Sequence, residues 1–150
     1  MKKKVLAGLL TVAMAATMMA GCGSSGSDQD TTQGTDEAIT ENTTYKVGIV
    51  QYVDDASLNQ IEKAIEAELD AKSEELGVTF DYADYTFNGQ ADSTVMNQIA
   101  ADLVADEVDI IIPIATPTAM VMQSATEDNQ IPVVFSAVSD PVGAGLVEDN

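Results

Sequence analysis

Asp109-Ile-Ile-Ile-Pro-Ile114, followed at once by Ala115-Thr116-Pro117-Thr118, joins a strand signal directly to a helix signal. The first six residues are too few for a helix and almost wholly apolar and β-branched. That combination suits a strand buried on both faces at the centre of a parallel sheet. Thr116 then reads as a helix N-cap with Pro117 at the first helical position. Met120, Val121 and Ala125 continue the helix towards Asn129. Met120 and Met122 lie two apart, so at most one of them faces the core.

The same alternation extends in both directions. Downstream, Ile131-Pro-Val-Val-Phe135 reads as a fourth strand, its proline near the start where a missing N–H is tolerated. Upstream, Lys46-Val-Gly-Ile-Val-Gln51 is a first buried strand. Ser57 and Gln60 form a capping box ahead of Leu58, Ile61, Ile65, Leu69 and Leu76 at helical spacing, and Gly77 stops that helix. Val78 to Tyr85 alternates apolar and polar residues as a second strand, broken by Asn88-Gly89. Asp92 caps a further helix carrying Val95, Met96, Ile99, Leu103 and Val104. The order βαβαβαβ predicts an α/β fold: an open, mostly parallel, doubly wound sheet with right-handed crossovers and strand order 2-1-3-4. That order puts a topological switch between the first and third strands.

The composition narrows the chemistry. The chain has 150 residues, with 6 basic residues, all lysine, against 25 acidic ones, a formal net charge of -19. On length alone that is about one domain. It has no His, no Arg and no Trp, and Cys22 is its single cysteine. A Ser-His-Asp triad, a Cys-His pair, a His-ligated metal and an internal disulfide are therefore excluded, and no metal site or cofactor is expected. Such an acidic chain is a poor partner for nucleic acid. The inventory points to a binding protein rather than an enzyme.

Lys2-Lys3-Lys4 followed by an uncharged, mostly apolar run from Val5 to Ala20 reads as a secretory signal. The run is shorter than a membrane-spanning helix, which takes about 20 residues. Met19-Ala20-Gly21-Cys22 resembles a bacterial lipobox, whose cysteine is lipidated and becomes the new N-terminus; an ordinary signal cleaved near Ala20 is the alternative. Gly21-Cys22-Gly23-Ser24-Ser25-Gly26 matches a dinucleotide fingerprint only by accident, because neither a strand before it nor a helix after it is signalled. Up to Thr44 the chain is polar and acidic, a composition that cannot offset its ordering entropy. The expected organisation is a signal peptide over residues 1–21, a disordered acidic tether over 22–44 and a folded domain over 45–150.

In a sheet of this kind ligands sit beyond the carboxyl ends of the strands, near the switch. The residues placed there are Gln51 and Tyr52 after the first strand, Ser57 opening the first helix, Thr116 and Thr118 after the third strand, and Ser136 and Asp140 after the fourth. With no Arg, an anionic group would rely on hydroxyls and helix N-terminal N–H groups, and Asp140 could take an ammonium. Each also has a plain reading: Ser57 and Thr116 as caps, Asp140-Pro141 as a turn opener, Tyr52 as cover for the sheet edge. Asp106, Glu107 and Asp109 read as a helix end on the far side. Gly143-Ala-Gly145 lacks the third glycine of a nucleotide loop.

At residues 47–53 (Val-Gly-Ile-Val-Gln-Tyr-Val), 114–119 (Ile-Ala-Thr-Pro-Thr-Ala) and 132–147, from Pro-Val-Val-Phe-Ser-Ala-Val-Ser-Asp-Pro to Val147, the chain resembles the lipoprotein substrate-binding proteins of ABC importers, in the tryptophan/tyrosine branch. The resemblance implies a two-lobed periplasmic-binding-protein fold closing over an amino acid or similar small ligand. It implies an ABC permease and ATPase as partners, a lipid anchor to the membrane at Cys22, and a place on the extracytoplasmic face of the cell membrane. It also implies that residues 45–150 are most of the first lobe of a longer chain. Two other classes remain open at this level. One is a ligand-sensing receptor ectodomain of the same fold. The other is an extracytoplasmic α/β hydrolase, which would need a Gly-x-Ser-x-Gly elbow and a base that the sequence does not show.

Overall fold

β1 (Thr44–Gln51) is the strand to which every other strand attaches, and all its pairings are parallel. The computed structural model describes residues 43–148; the signal segment, Cys22 and the tether up to residue 42 lie outside the described residues. β2 (Thr79–Asp81) pairs with Thr44–Lys46, β3 (Thr86–Asn88) with Ile49–Gln51, and β4 (Ile110–Ile114) with Val47–Gln51. Segment 131–136 adds to β4 through two parallel bridges, Ile111 with Val133 and Ile114 with Ser136. Three helices connect these strands: α1 (Ala56–Leu76), α2 (Ser93–Ala105) and α3 (Thr116–Thr126). The open parallel α/β sheet and its order are those read from the sequence.

Two strands depart from that reading. The run Val78–Tyr85 is not one strand: it yields β2, a 3-10 turn at Ala83–Tyr85, and β3 beyond it. Tyr82 leaves the extended region at φ -111°, ψ -19°, and its carbonyl accepts from Tyr85 N–H at 3.0 Å and from the Thr86 hydroxyl at 2.9 Å. Its own hydroxyl donates to Asp70 on α1 at 2.8 Å, which ties the turn to the helix. The fourth strand is a pair of bridges rather than a full ladder. Pro132 has no N–H to offer, and the segment has a strand neighbour on one side only among the described residues.

The caps explain where the helices start and stop. Gly77 ends α1 in the left-handed region at φ 67°, donating to the Ser73 carbonyl at 3.0 Å. Glycine takes that position without strain. Asp92 caps α2, accepting from Thr94 N–H at 2.7 Å and Val95 N–H at 3.1 Å. These bonds to its ionised form hold its carboxyl below the usual carboxylate range. The expected cap of α1 is corrected: Asp55, not Ser57, occupies it, accepting from Ser57 N–H at 2.8 Å and Leu58 N–H at 3.4 Å. Aspartate caps as well as serine, and Asp55 is the residue with extended dihedrals, so the helix begins one residue before Ser57. Thr116 is not a cap either. It is the first residue of α3, and Ala115 precedes it with no side-chain cap.

The two faces of the sheet are covered unequally. On one, α2 and α3 bury Val50, Ile99, Ala100, Leu103, Val108, Ile111 and Met122 in a continuous core. Met122 is fully buried while Met120 is 48% exposed, so one of the pair faces inward as expected. On the other face α1 lays Leu58, Ile61, Ile65 and Leu69 over Val47, Ile49 and Ile114, yet none of its own residues is fully buried. A groove of about 370 Å³ remains open there between Ile65, Leu69, Ile112, Val134 and Phe135. Asp106 and Asp109 lie at the amino edge of the sheet, where the Asp106 carbonyl accepts from Lys46 Nζ at 2.7 Å and Asp109 Oδ2 accepts from Lys46 N–H at 2.7 Å.

Candidate functional site at the carboxyl edge of the sheet

β1 and β4 end together, Gln51 paired in register with Ile114. One residue further, Ala115 takes φ 84° and ψ 153°. Those angles lie close to a region that only glycine enters freely. Ala115 is held from both directions. Its N–H donates to the Ser136 carbonyl at 3.0 Å, Ser136 N–H donates to the Pro113 carbonyl at 2.9 Å, and its own carbonyl accepts the first helical bond, from Ala119 at 3.1 Å. α3 thus starts at the sheet edge with no side-chain hydrogen bond capping its N-terminus. The N–H groups of Thr116 and Thr118 belong to the first turn, which has no intrahelical acceptor, and the helix dipole adds partial positive charge at the same point.

Gln51 has the most unusual environment. Its side chain lies on the α1 face and is 5% exposed. Nε2 donates to Asn59 Oδ1 at 3.0 Å, and Asn59 Nδ2 in turn donates to Asp54 Oδ1 at 2.7 Å. Gln51 Oε1 is buried with no hydrogen-bond partner, alone in this among the described side-chain atoms. The backbone around it is fully engaged: the Gln51 carbonyl accepts from Gly89 N–H at 2.8 Å and the Tyr52 carbonyl from Ala91 N–H at 2.8 Å. Gly89 is required for this approach, since a Cβ there would fall 2.6 Å from Met96 Cγ and 3.3 Å from the Gln51 carbonyl oxygen. The turn it enters carries Gln90 and Ala91 at φ 52° each.

The other residues expected at the site are distributed as follows. Tyr52 is half-buried beside Gln51, and Thr116 is half-buried at the start of α3. Ser57 is exposed within the first turn of α1. Thr118 is fully buried with its hydroxyl against Met96 Sδ at 3.8 Å, so its side chain serves the core between α2 and α3. Ser136 brackets Ala115 through its backbone. Asp140 is exposed and its Oδ1 accepts from Gly143 N–H at 2.9 Å, the bond of a turn opener, leaving the second oxygen for other work.

Asp54, Asn59 and Ala115 carry roles that the sequence does not announce. Asp54-Asp55 directly before an apolar-periodic run is a usable cap signal for one of the two. Asn59 gives none, because its partners lie eight and five residues away and meet only when α1 folds back on β1. α1 adds acidity nearby: burial, then Glu66, then Asp54, push the Glu62 carboxyl above its usual value, with Lys63 opposing. Among the described residues no group of three or more His, Cys, Asp or Glu could hold a metal ion, and no helix is long and apolar enough to cross a membrane.

In open parallel α/β sheets, ligands bind beyond the carboxyl ends of the strands, the edge at which the uncapped start of α3 and the end of β1 meet here. Residues 46–150 match the family model described as ABC transporter substrate binding protein, and the chain belongs to that family. It is 33% identical over 152 residues to a tyrosine-binding protein of Clostridioides difficile, a match covering 97% of this chain and 41% of that protein. Among solved structures it resembles the ABC domain in complex with L-Trp from Streptococcus pneumonia, at TM-score 0.61 and 33% identity over 71% of this chain and 35% of that one. A conserved domain protein from Vibrio cholerae matches at TM-score 0.61 and 38% identity, with the same coverage. The chain therefore spans about two fifths of the curated relative and about a third of the solved structures.

Proposed function

We propose that this chain forms the first lobe of an extracytoplasmic solute-binding lipoprotein that captures an amino acid, preferentially an aromatic one, for an ABC permease and its ATPase. The observation that carries the reading is the uncapped N-terminus of α3, fixed by the strained Ala115 and set one residue beyond the Gln51–Ile114 pair. Free N–H groups and the helix dipole suit a ligand carboxylate, while Gln51 Oε1 and the second oxygen of Asp140 are acceptors suited to an ammonium. Tyr52 offers an aromatic wall. The relatives that bind tyrosine and tryptophan support the choice of ligand. The role is binding without catalysis, and Cys22 is the attachment point to the outer face of the membrane, with the residues between Cys22 and the start of β1 at Thr44 as the leash.

Isothermal calorimetry of the full-length two-lobed protein that carries this lobe, with L-tyrosine, L-tryptophan, a sugar and a nucleoside, tests the reading. Saturable binding of the aromatic amino acids alone is expected. Asp140→Asn should weaken it by loss of a charge-assisted hydrogen bond worth about 1.5–3 kcal/mol. Heat from the sugar or nucleoside and none from the amino acids would overturn the ligand class.

A further inference from the structure

We infer that Asp54 and Asn59 are positioning residues that lock the Gln51 amide with its oxygen turned towards the site, so that the end of β1 selects ligands carrying a hydrogen-bond donor. The inference rests on the amino-acid reading above and assigns the amine-recognising half of the site.

The polarity of the chain of amides follows from its last member. An ionised carboxylate only accepts, so Asp54 Oδ1 fixes Asn59 with Nδ2 towards it, at 2.7 Å. Asn59 then presents Oδ1 to Gln51, and Gln51 must answer with Nε2, at 3.0 Å. Gln51 Oε1 is left buried without a partner. Turning Gln51 alone would set two oxygens against each other. Turning Gln51 and Asn59 together would move the same conflict to Asp54. One exposed carboxylate thus dictates which end of a buried amide is offered two side chains away.

A buried acceptor without a partner has lost its water and gained nothing in exchange, and the Asn59 amide, held by the Asp54 carboxylate, keeps it that way. The arrangement is one that a ligand's N–H relieves. A carboxylate or another bare acceptor at the same point would meet only repulsion. Because the atom is buried, a donor would reach it only if the surrounding side chains moved as the ligand seats.

The probes are L-tyrosine and its des-amino analogue 3-(4-hydroxyphenyl)propanoate, titrated by calorimetry into the full-length two-lobed protein, and the readout is the ratio of their affinities. The parent protein should prefer tyrosine. Asp54→Asn, which lets both amides turn over, should reduce the ratio about tenfold, the effect of one hydrogen bond to a charged group. Gln51→Met, which keeps the length and removes the acceptor, should reduce it as far. In the double variant Asp54→Asn with Asn59→Asp, residue 59 is acceptor-only and takes Nδ2 of residue 54 and Nε2 of Gln51, so the ratio should recover at unchanged net charge. Thermal unfolding of each variant separates a folding defect from a change in selectivity. A ratio unaltered by Asp54→Asn and Gln51→Met overturns the inference while leaving the amino-acid reading in place. Failure of the double variant to recover overturns the locking order. Absence of binding of either probe by the parent protein overturns the amino-acid reading and this inference with it.

Discussion

Replacing Ala115 by glycine should stabilise the domain and weaken ligand binding. Ala115 stands at φ 84° and ψ 153°. A residue with a Cβ in that region costs about 1–3 kcal/mol. Glycine removes that cost but returns about 0.4–1 kcal/mol through the greater freedom of the unfolded chain. The half-buried methyl group contributes roughly 0.4 kcal/mol more to the loss, half of the usual value for a buried carbon. The net expectation is a gain of about 1 kcal/mol, which in a domain of this size raises Tm by about 4–8 °C. Urea unfolding of the parent and Ala115→Gly proteins measures it directly, with Ala115→Val as the opposite control, since a β-branched residue deepens the conflict. The same substitution loosens the turn that aims the first N–H groups of α3, so affinity for L-tyrosine should fall as stability rises. A glycine variant less stable than the parent would refute the strain, and a more stable one with undiminished affinity would refute its role in presenting α3.

Other substitutions test separate parts of the fold. Met122 is fully buried and Met120 is exposed beside it. Met122→Ala should cost about 2–5 kcal/mol in the same unfolding assay. Met120→Ala should change stability by no more than about 0.5 kcal/mol. Asp55→Ala should cost about 1 kcal/mol by removing the cap of α1, and Ser57→Ala should be close to neutral because its hydroxyl caps nothing. Glu62 binds its proton more tightly folded than unfolded, so its penalty grows as pH rises through the raised folded value and is absent well below the ordinary 4.5. Glu62→Gln should therefore stabilise at pH 7 by a few tenths of a kcal/mol, with no difference from the parent at pH 3. If Cys22 carries the lipid, Cys22→Ala should leave the membrane fraction on cell fractionation, and equal retention of both forms would remove the anchor.

What can be read in advance is whatever repeats. The apolar runs at 47–50 and 110–114, and the helical spacing of Leu58, Ile61, Ile65 and Leu69, follow from one-dimensional periods and emerge as β1, β4 and α1. Asp92 and Gly77 are readable because a cap is a local event. The misreadings come from competition and from contact at a distance. Asp54, Asp55 and Ser57 are all competent caps close together in sequence, and backbone dihedrals choose among them. The second strand alternates correctly until Tyr82, whose hydroxyl is held by Asp70 twelve residues earlier. At the edge of the sheet, Gln51 and Thr116 fall where the topology places them. Neither the strain at Ala115 nor the amide relay through Asn59 leaves any pattern in the sequence, since both exist only once strand and helix meet.

β1 is synthesised first among the described elements yet owes every one of its strand contacts to residues made later. β2 and β3 reach one of its edges, and its longest ladder, with β4, waits for Ile110 to Ile114. At about 5–20 residues per second, the roughly 60 residues between Val47 and Ile110 take about 3–12 s to make. Throughout that time a strand built of Val, Gly and Ile keeps the edge that β4 will occupy open, and α1 alone covers one of its faces. The native ladder of β1 over Val47–Gln51 therefore cannot be complete before residues 110–114 have been made.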